Sequence, residues 1–277
     1  MAREILLRKP DKPNYTRAKA YRLIRLLNCL GNVVEKMAAE AISHHRETTK
    51  SLHPGQMGNR KQRNTTDAVD CSIQRTHDSW KQQQPIAVIF MDVKSAFDHV
   101  KPSQLVSRMR ELGLDGDLIR WTQSFLANRK VQLVIDNTQC PIQSINSGVP
   151  QGSPVSPILF AIYLSGVFNE IERTVPGVHT LSFADDIGLL APEYSVQETC
   201  LNVQEAAKLA IDWGRRNMVQ FDAEKTEAAL FTRKRGRKLQ DQIQRARIMG
   251  KITLPLLIGT LSDAPARQCE ARDHGVS

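Results

Sequence analysis

Apolar and polar positions change their spacing from segment to segment along the chain, and each spacing predicts an element. Residues 86–93 (IAVIFMDV) form a continuous apolar run with Asp92 near its carboxyl end, the pattern of a buried strand. Pro102 then opens a helix. Its apolar face carries Leu105, Met109 and Leu112, and Gly113 closes it. A second helix is expected over about 117–128. Residues 130–136 (KVQLVID) alternate as a strand does, with Asp136 and Asn137 as turn formers. Residues 147–157 (SGVPQGSPVSP) hold three prolines and two glycines and must be a loop. Pro157 begins an apolar helix reaching about Arg173. Two short apolar strands follow at 179–183 and 187–191, with Ala184, Asp185 and Asp186 between them, so a hairpin with acids at its tip is predicted. Val196, Cys200, Val203, Ala207 and Ala210 mark an amphipathic helix to about Met218. Residues 225–231 (KTEAALF) make a last strand. Beyond Phe231 the pattern fades: Leu239, Ile243 and Ala246 suit one short helix, and the last fifteen or so residues read as disordered. The order of elements predicts an α+β sheet with helices on one face.

Composition narrows the class. The chain has 277 residues, 41% hydrophobic and 24% charged, enough for a sizeable core. The longest apolar stretch, 158–168, is interrupted by Ser165 and Gly166 and is too short to span a bilayer, so no membrane partner is expected. Five widely spaced cysteines without a C-x-x-C argue against both a disulfide framework and a structural zinc site. His44, His45 and His53 have no ligand partners at zinc spacing and are expected on the surface. The net charge of +9 is unevenly spread. Residues 1–84 carry 16 Lys/Arg against 8 Asp/Glu, residues 85–232 carry 12 against 17, and residues 233–277 carry 10 against 4. A basic flank beside an acidic centre suits a protein that grips phosphate with one part and cations with another.

Asp92, Asp185 and Asp186 carry the candidate chemistry. Each stands at a strand end or hairpin tip among apolar neighbours, where an uncompensated carboxylate is costly. Divalent metal removes that cost, and Mg²⁺ prefers carboxylate oxygens while keeping positions open for phosphate. Two such ions about 4 Å apart can hold the attacking and leaving oxygens of a phosphoryl displacement. Adjacent strands of one sheet would bring Asp92 and Asp185 together.

In this order, residues 92–98 (DVKSAFD), 147–157 (SGVPQGSPVSP), 183–186 (FADD) and 225–227 (KTE) resemble the successive palm motifs of reverse transcriptases. FADD and the PQGSPVSPILF context resemble the non-LTR (LINE-type) retrotransposon branch. Residues 9–27 and 56–68 (QMGNRKQRNTTDA) are similar to that branch's fingers motifs, so the likeness covers roughly residues 5–235. The resemblance implies a fingers-and-palm fold with a ferredoxin-like palm sheet, divided as fingers over 1–84, catalytic palm over 85–232 and a degenerate basic tail over 233–277. It implies an RNA-directed DNA polymerase acting on an RNA template, a DNA primer and deoxynucleoside triphosphates with two Mg²⁺ ions, Mn²⁺ being the alternative. Asp92 and Asp185 would bind both metals, with Asp186 supporting. Phe97 would be the steric gate against a 2′-hydroxyl, Gln151 and Gly152 would line the nucleotide and template pocket, and Lys225 would face the triphosphate and protonate the leaving pyrophosphate. Arg22, Arg60 and Arg63 would contact triphosphate or template phosphate, or else form a solvated basic hairpin.

Departures from the pattern set a rival expectation. Where the family's fingers segment reads Tyr-Arg-Pro-Ile-Ser, this chain has Tyr21, Arg22, Leu23, Ile24 and Arg25. The usual amino-terminal extension and endonuclease domain are not recognisable, nor are the primer grip and thumb after about residue 235. The chain therefore reads as a fragment or decayed copy, and the alternative function is a catalytically inactive nucleic-acid-binding remnant. An RNA-dependent RNA polymerase is a third reading, against which bulky Phe97 argues. Residues 233–238 (RKRGRK) suit a nuclear-localisation or RNA-binding patch or a solvated tail. An intracellular location, nuclear or cytoplasmic, is expected.

Overall fold

The computed structural model of the protein describes residues 2–11, 13–17, 20–26, 28–135, 138–233 and 256–259. In chain order its elements are β1 (Ala2–Arg8), β2 (Tyr21–Leu26), α1 (Cys29–Thr49), α2 (Thr65–Lys81), β3 (Ile86–Lys94), α3 (Pro102–Glu111), α4 (Gly116–Leu126), β4 (Arg129–Ile135), β5 (Thr138–Gln139), β6 (Gln143–Ile145), α5 (Ser156–Thr174), β7 (His179–Phe183), β8 (Asp186–Pro192), α6 (Val196–Arg216), β9 (Gln220–Phe221), β10 (Glu227–Phe231) and β11 (Leu256–Gly259). Two compact units emerge. The first takes Met1–Leu52, Ser95–Gly166 and Asn217–Val219, and the second takes His53–Lys94, Val167–Arg216 and Gln220–Ser277. Each has its own sheet.

In the first unit the strand order is β2-β1-β4-β5, with β6 also on β4. β1 and β2 pair antiparallel, Arg8 opposite Tyr21, and β1 runs parallel to β4. The alternating segment expected at 130–136 is β4. Its turn formers Asp136 and Asn137 lie outside the described residues. α1 starts where the Asn28 side chain accepts from the amide of Gly31 and ends at Lys50, which takes a left-handed φ of 50°. α3 opens on Pro102 as its sequence predicts, and α4 packs against both α1 and α3.

The second unit is built on β3. Its sheet runs β11-β10-β3-β8-β7, with β9 on the end of β3. β3 is antiparallel to β8 and to β10. One set of alternate residues, Ile86 and Val88, joins Met57, Leu181 and Leu190 in an apolar cluster that α2 reaches through Ala68 and Cys71. The other set, Ala87, Ile89 and Met91, is no more than 5% exposed. Burial of both sets, broken at Phe90, which is 43% exposed, is why β3 is a nearly continuous apolar run rather than an alternating one. Each fully buried aliphatic side chain contributes about 1.5–3 kcal/mol. α6 packs on β3 and β8, and α2 on β7 and β8, so the expected α+β arrangement acquires a helix not foreseen in the sequence. α2 did carry a readable start, since Asn64 and Asp67 form a reciprocal capping box. The helix expected near Leu239, Ile243 and Ala246 and the disorder expected of the last fifteen or so residues both fall outside the described residues. β11, parallel to β10 with Leu256 opposite Ala228, had no clear signal in the sequence.

Candidate metal centre

Pairing of β3 with β8 decides where the acids lie. Asp92 and Asp186 are direct register partners, and the Val93 amide donates to the Asp185 carbonyl at 3.2 Å. Three acids from distant parts of the sequence thus share one strand end in the second unit. The hairpin is tighter than the expected three-residue tip. Asp186 already belongs to β8 and pairs with Phe183, so Ala184 and Asp185 alone make the turn. Ala184 does so at a φ of 55°, a conformation costing an L-residue roughly 1–2 kcal/mol.

The charges at this point are crowded. Asp186 keeps contact with solvent, but an apolar cavity of about 570 Å³, walled by Val88, Phe90, Leu181, Phe183 and Phe231, borders it. Burial raises its pKa above the ordinary aspartate value, the like charges of Asp185 and Asp92 raise it further, and Lys225 partly offsets them. Lys225 Nζ donates to Asp92 Oδ2 at 2.6 Å, with the aspartate side chain 16% exposed and the lysine 63%. That hydrogen bond is the main reason the Lys225 pKa stands above its usual value. Partial burial opposes it, and the charges of Asp92, Asp222 and Asp185 add to it.

Asp222 is a member of this cluster that sequence reading missed. Its amide donates to the Asp92 carbonyl at 2.8 Å, its carbonyl accepts from the Lys225 amide at 3.1 Å, and its carboxylate pairs with Lys94 at 3.3 Å. Burial works to raise the Asp222 pKa, and the Lys94 hydrogen bond and charge overcome it, leaving it below the ordinary value. The turn from Asp222 to Lys225 is thereby fastened to the backbone of Asp92, which lets the lysine reach the aspartate. Carboxylate oxygens are the donor type that Mg²⁺ and Mn²⁺ accept. Among the described residues, no three His, Cys, Asp or Glu side chains stand together as a ready metal cluster. Convergence is therefore set by the backbone, while the carboxylate of Asp92 is turned to Lys225.

The remaining predicted residues divide between the units. Arg60 and Arg63 belong to the second, where Arg60 donates to the Gln56 carbonyl at 3.2 Å and Arg63 is exposed. Phe97, Gln151, Gly152 and Arg22 belong to the first. Arg22 is exposed on β2. The Phe97 ring lies 5.6 Å from that of Phe160, and its carbonyl accepts from the Val149 amide at 2.7 Å. The Gln151 carbonyl accepts from the Arg25 amide at 3.0 Å. Gly152 has a φ of 107°, and a Cβ there would come within 3.2 Å of the Arg25 carbonyl, so only glycine suits it.

Two supports of the 147–157 loop were not foreseen. Arg129 donates to the carbonyls of Ser147 and Gly148, both at 2.6 Å, and buried Glu35 accepts from the Ser153 hydroxyl. His53 is a correction to the surface expectation. Its side chain is only 13% exposed, pairs with Glu172 at 2.9 Å and stacks on Phe168, because burial against an apolar ring is open to a histidine whose polar edge finds a partner. Arg233 of the basic run lies over the Trp80 ring at 5.0 Å; residues 234–238 are outside the described set.

Comparison with known proteins identifies the family. The profile of the reverse transcriptase (RNA-dependent DNA polymerase) family matches residues 7–253. The chain is 27% identical over 233 residues to the RNA-directed DNA polymerase from mobile element jockey of Drosophila funebris, covering 82% of this chain and 25% of that protein. It is 25% identical over 271 residues to the probable RNA-directed DNA polymerase from transposon BS of Drosophila melanogaster, covering 96% of this chain and 28% of that one. A Pol polyprotein from the type-1 retrotransposable element R2 of Popillia japonica is 27% identical over 182 residues, covering 61% and 25%. The chain thus spans about a quarter of the length of these curated relatives. Telomerase of Candida tropicalis, solved with a fragment of telomeric RNA, has the same fold at a TM-score of 0.60 and 12% identity, covering 82% of this chain and 41% of that one. With the family profile spanning nearly its whole length, and with relatives encoded by mobile elements, the chain belongs to the reverse transcriptase (RNA-dependent DNA polymerase) family, in its non-LTR retrotransposon branch.

Proposed function

We propose that this chain carries the nucleotidyl-transfer centre of an RNA-directed DNA polymerase, extending a DNA primer on an RNA template with deoxynucleoside triphosphates. The pairing of Asp92 with Asp186 beside the Asp185 turn is the observation that carries this reading. Asp92 and Asp185 would hold two Mg²⁺ or Mn²⁺ ions, with Asp186 supporting. The ions, when bound, stabilise charge on the attacking and leaving oxygens of phosphoryl transfer. Protein groups do the rest. Asp186, whose pKa is raised by burial and by its acidic neighbours, suits a supporting position. Lys225, with its raised pKa, is protonated at neutral pH and can hand a proton to the departing pyrophosphate once it leaves Asp92. Phe97 would close the space for a 2′-hydroxyl, Gln151 and Gly152 would border the nucleotide and template, and Arg22, Arg60 and Arg63 would contact phosphate. In this reading residues 1–84 act as fingers, 85–232 as palm and 233–277 as a basic tail.

The hold of Lys225 on Asp92 favours a second reading, a nucleic-acid-binding remnant in which the lysine permanently replaces the cation. Primer extension on an RNA template with Mg²⁺ or Mn²⁺ separates the two. Wild-type extension that falls at least about 100-fold in Asp185→Asn, with the fold retained, supports the polymerase. Equal extension by both proteins removes the assigned role, and salt-dependent RNA binding without incorporation selects the remnant.

A further inference from the structure

The segment from His53 to Gly58 is not used by the chemistry above, yet it is fitted to the outside of the hairpin that carries Asp185. Gln56 bridges Ser182 in parallel, the Ser182 amide donates to the Gly55 carbonyl at 2.8 Å, and the Met57 amide donates to the Ser182 carbonyl at 2.9 Å. β7 is the last named strand of its sheet, so this segment covers an edge that would otherwise be open. Two glycines set how closely it lies. A Cβ on Gly55 would stand 1.9 Å from the Thr180 carbonyl oxygen, and one on Gly58 would stand 2.2 Å from the Ala184 amide nitrogen. Both clashes are with backbone, which cannot swing aside as a side chain can. The near end of the segment is tied down by His53, which pairs with Glu172 at 2.9 Å and stacks on Phe168. Glu172 in turn accepts from the Thr180 hydroxyl at 2.9 Å.

We propose that the His53–Gly58 segment is a strap that holds the Ala184–Asp185 turn in its strained form, making Gly58 and His53 positioning residues for Asp185. Ala184 sits at a φ of 55°, a conformation that persists only where the surroundings fix it. The backbone of Gly58 rests directly on the amide of that residue, and the tie through His53, Glu172 and Thr180 keeps the strap against the strand that leads into it. The strap acts on the turn alone: β3, which carries Asp92, is held by its own neighbours β8 and β10. This inference rests on the polymerase reading for its purpose but not for its test.

Hydrogen exchange of the full chain, followed by mass spectrometry on the peptide containing Ala184 and Asp185, is the first readout. Gly58→Ala should speed exchange at the turn about tenfold or more, with β3 and α6 peptides unchanged. His53→Ala, which removes the tie without adding bulk, should do the same to a smaller extent. His53→Gln, which can still bond Glu172, should recover part of the protection. Unchanged exchange at the turn in both Gly58→Ala and His53→Ala overturns the strap, as does an equal rise across the whole second unit. Mn²⁺ titration is the second readout. The concentration for half-maximal binding should rise at least about fivefold in Gly58→Ala while RNA affinity without divalent ion stays constant. If wild type and Asp185→Asn bind Mn²⁺ equally, the polymerase reading fails, and the exchange measurement still decides the strap.

Discussion

Lys225 and a divalent cation would compete for the same carboxylate, and replacing the lysine by methionine measures that competition. Methionine keeps an unbranched apolar stem and removes the ammonium that stands 2.6 Å from Asp92 Oδ2. Because the lysine side chain is 63% exposed, water screens the pair, and its worth is that of a surface ion pair, about 0.2–1 kcal/mol. Freeing Asp92 should therefore tighten Mn²⁺ binding about 1.4–5-fold. Loss of the repulsion between an ammonium and a dication adds in the same direction. The effect on rate has the opposite sign. If Lys225 supplies the proton to pyrophosphate, single-turnover primer extension at saturating Mn²⁺ should fall about 100-fold. Free Mn²⁺ can be followed by electron paramagnetic resonance and extension by rapid quench on the same protein samples. Tighter binding with slower chemistry is the expected signature. Mn²⁺ binding that is weaker or unchanged in Lys225→Met would refute the competition and leave the ion pair as a structural tie only.

Other expectations follow from residues placed above. Phe97→Ala should raise ribonucleotide relative to deoxynucleotide incorporation by roughly 10–100-fold, the range a single apolar contact can discriminate; an unchanged ratio would remove Phe97 as the gate. Gly148→Ala should destabilise the first unit by about 2 kcal/mol or more. Its φ is 75°, and the added Cβ would lie 2.8 Å from the carbonyl oxygens of Phe97 and Asp98; urea unfolding should show a lower midpoint at constant slope. Glu35 is buried on α1, and that burial raises its pKa although the Ser153 hydrogen bond works to lower it. A pKa raised in the folded state means stability that is fully present below the unfolded pKa and is lost as pH rises through the folded one. Thermal unfolding from pH 4 to pH 8 should therefore show wild type losing stability on the alkaline side of the carboxylate range, and Glu35→Gln should flatten that loss.

Much of this protein is local in origin, and the sequence alone determined that part. β3 shows as an apolar run, α3 and α6 as periodic faces, α5 as an apolar segment with a proline start like that of α3, and the β7–β8 hairpin as two short strands around acids, because each pattern reports how an element is buried. Asp92, Asp185 and Asp186 could be picked out as candidates because carboxylates among apolar neighbours call for a cation, and Lys225 through the motif resemblance alone. Tertiary structure alone decided what depends on pairing at a distance. The register that sets Asp92 against Asp186, the fastening of Asp222 to the backbone of Asp92, the burial of His53 on Phe168 and the lie of Gly55 and Gly58 against β7 all join residues far apart along the chain. A glycine or histidine looks the same in the sequence whether it faces water or another backbone. Only the packed chain supplies the neighbour that gives such a residue its role, because the energy of a contact depends on distance in space and not on separation along the polypeptide.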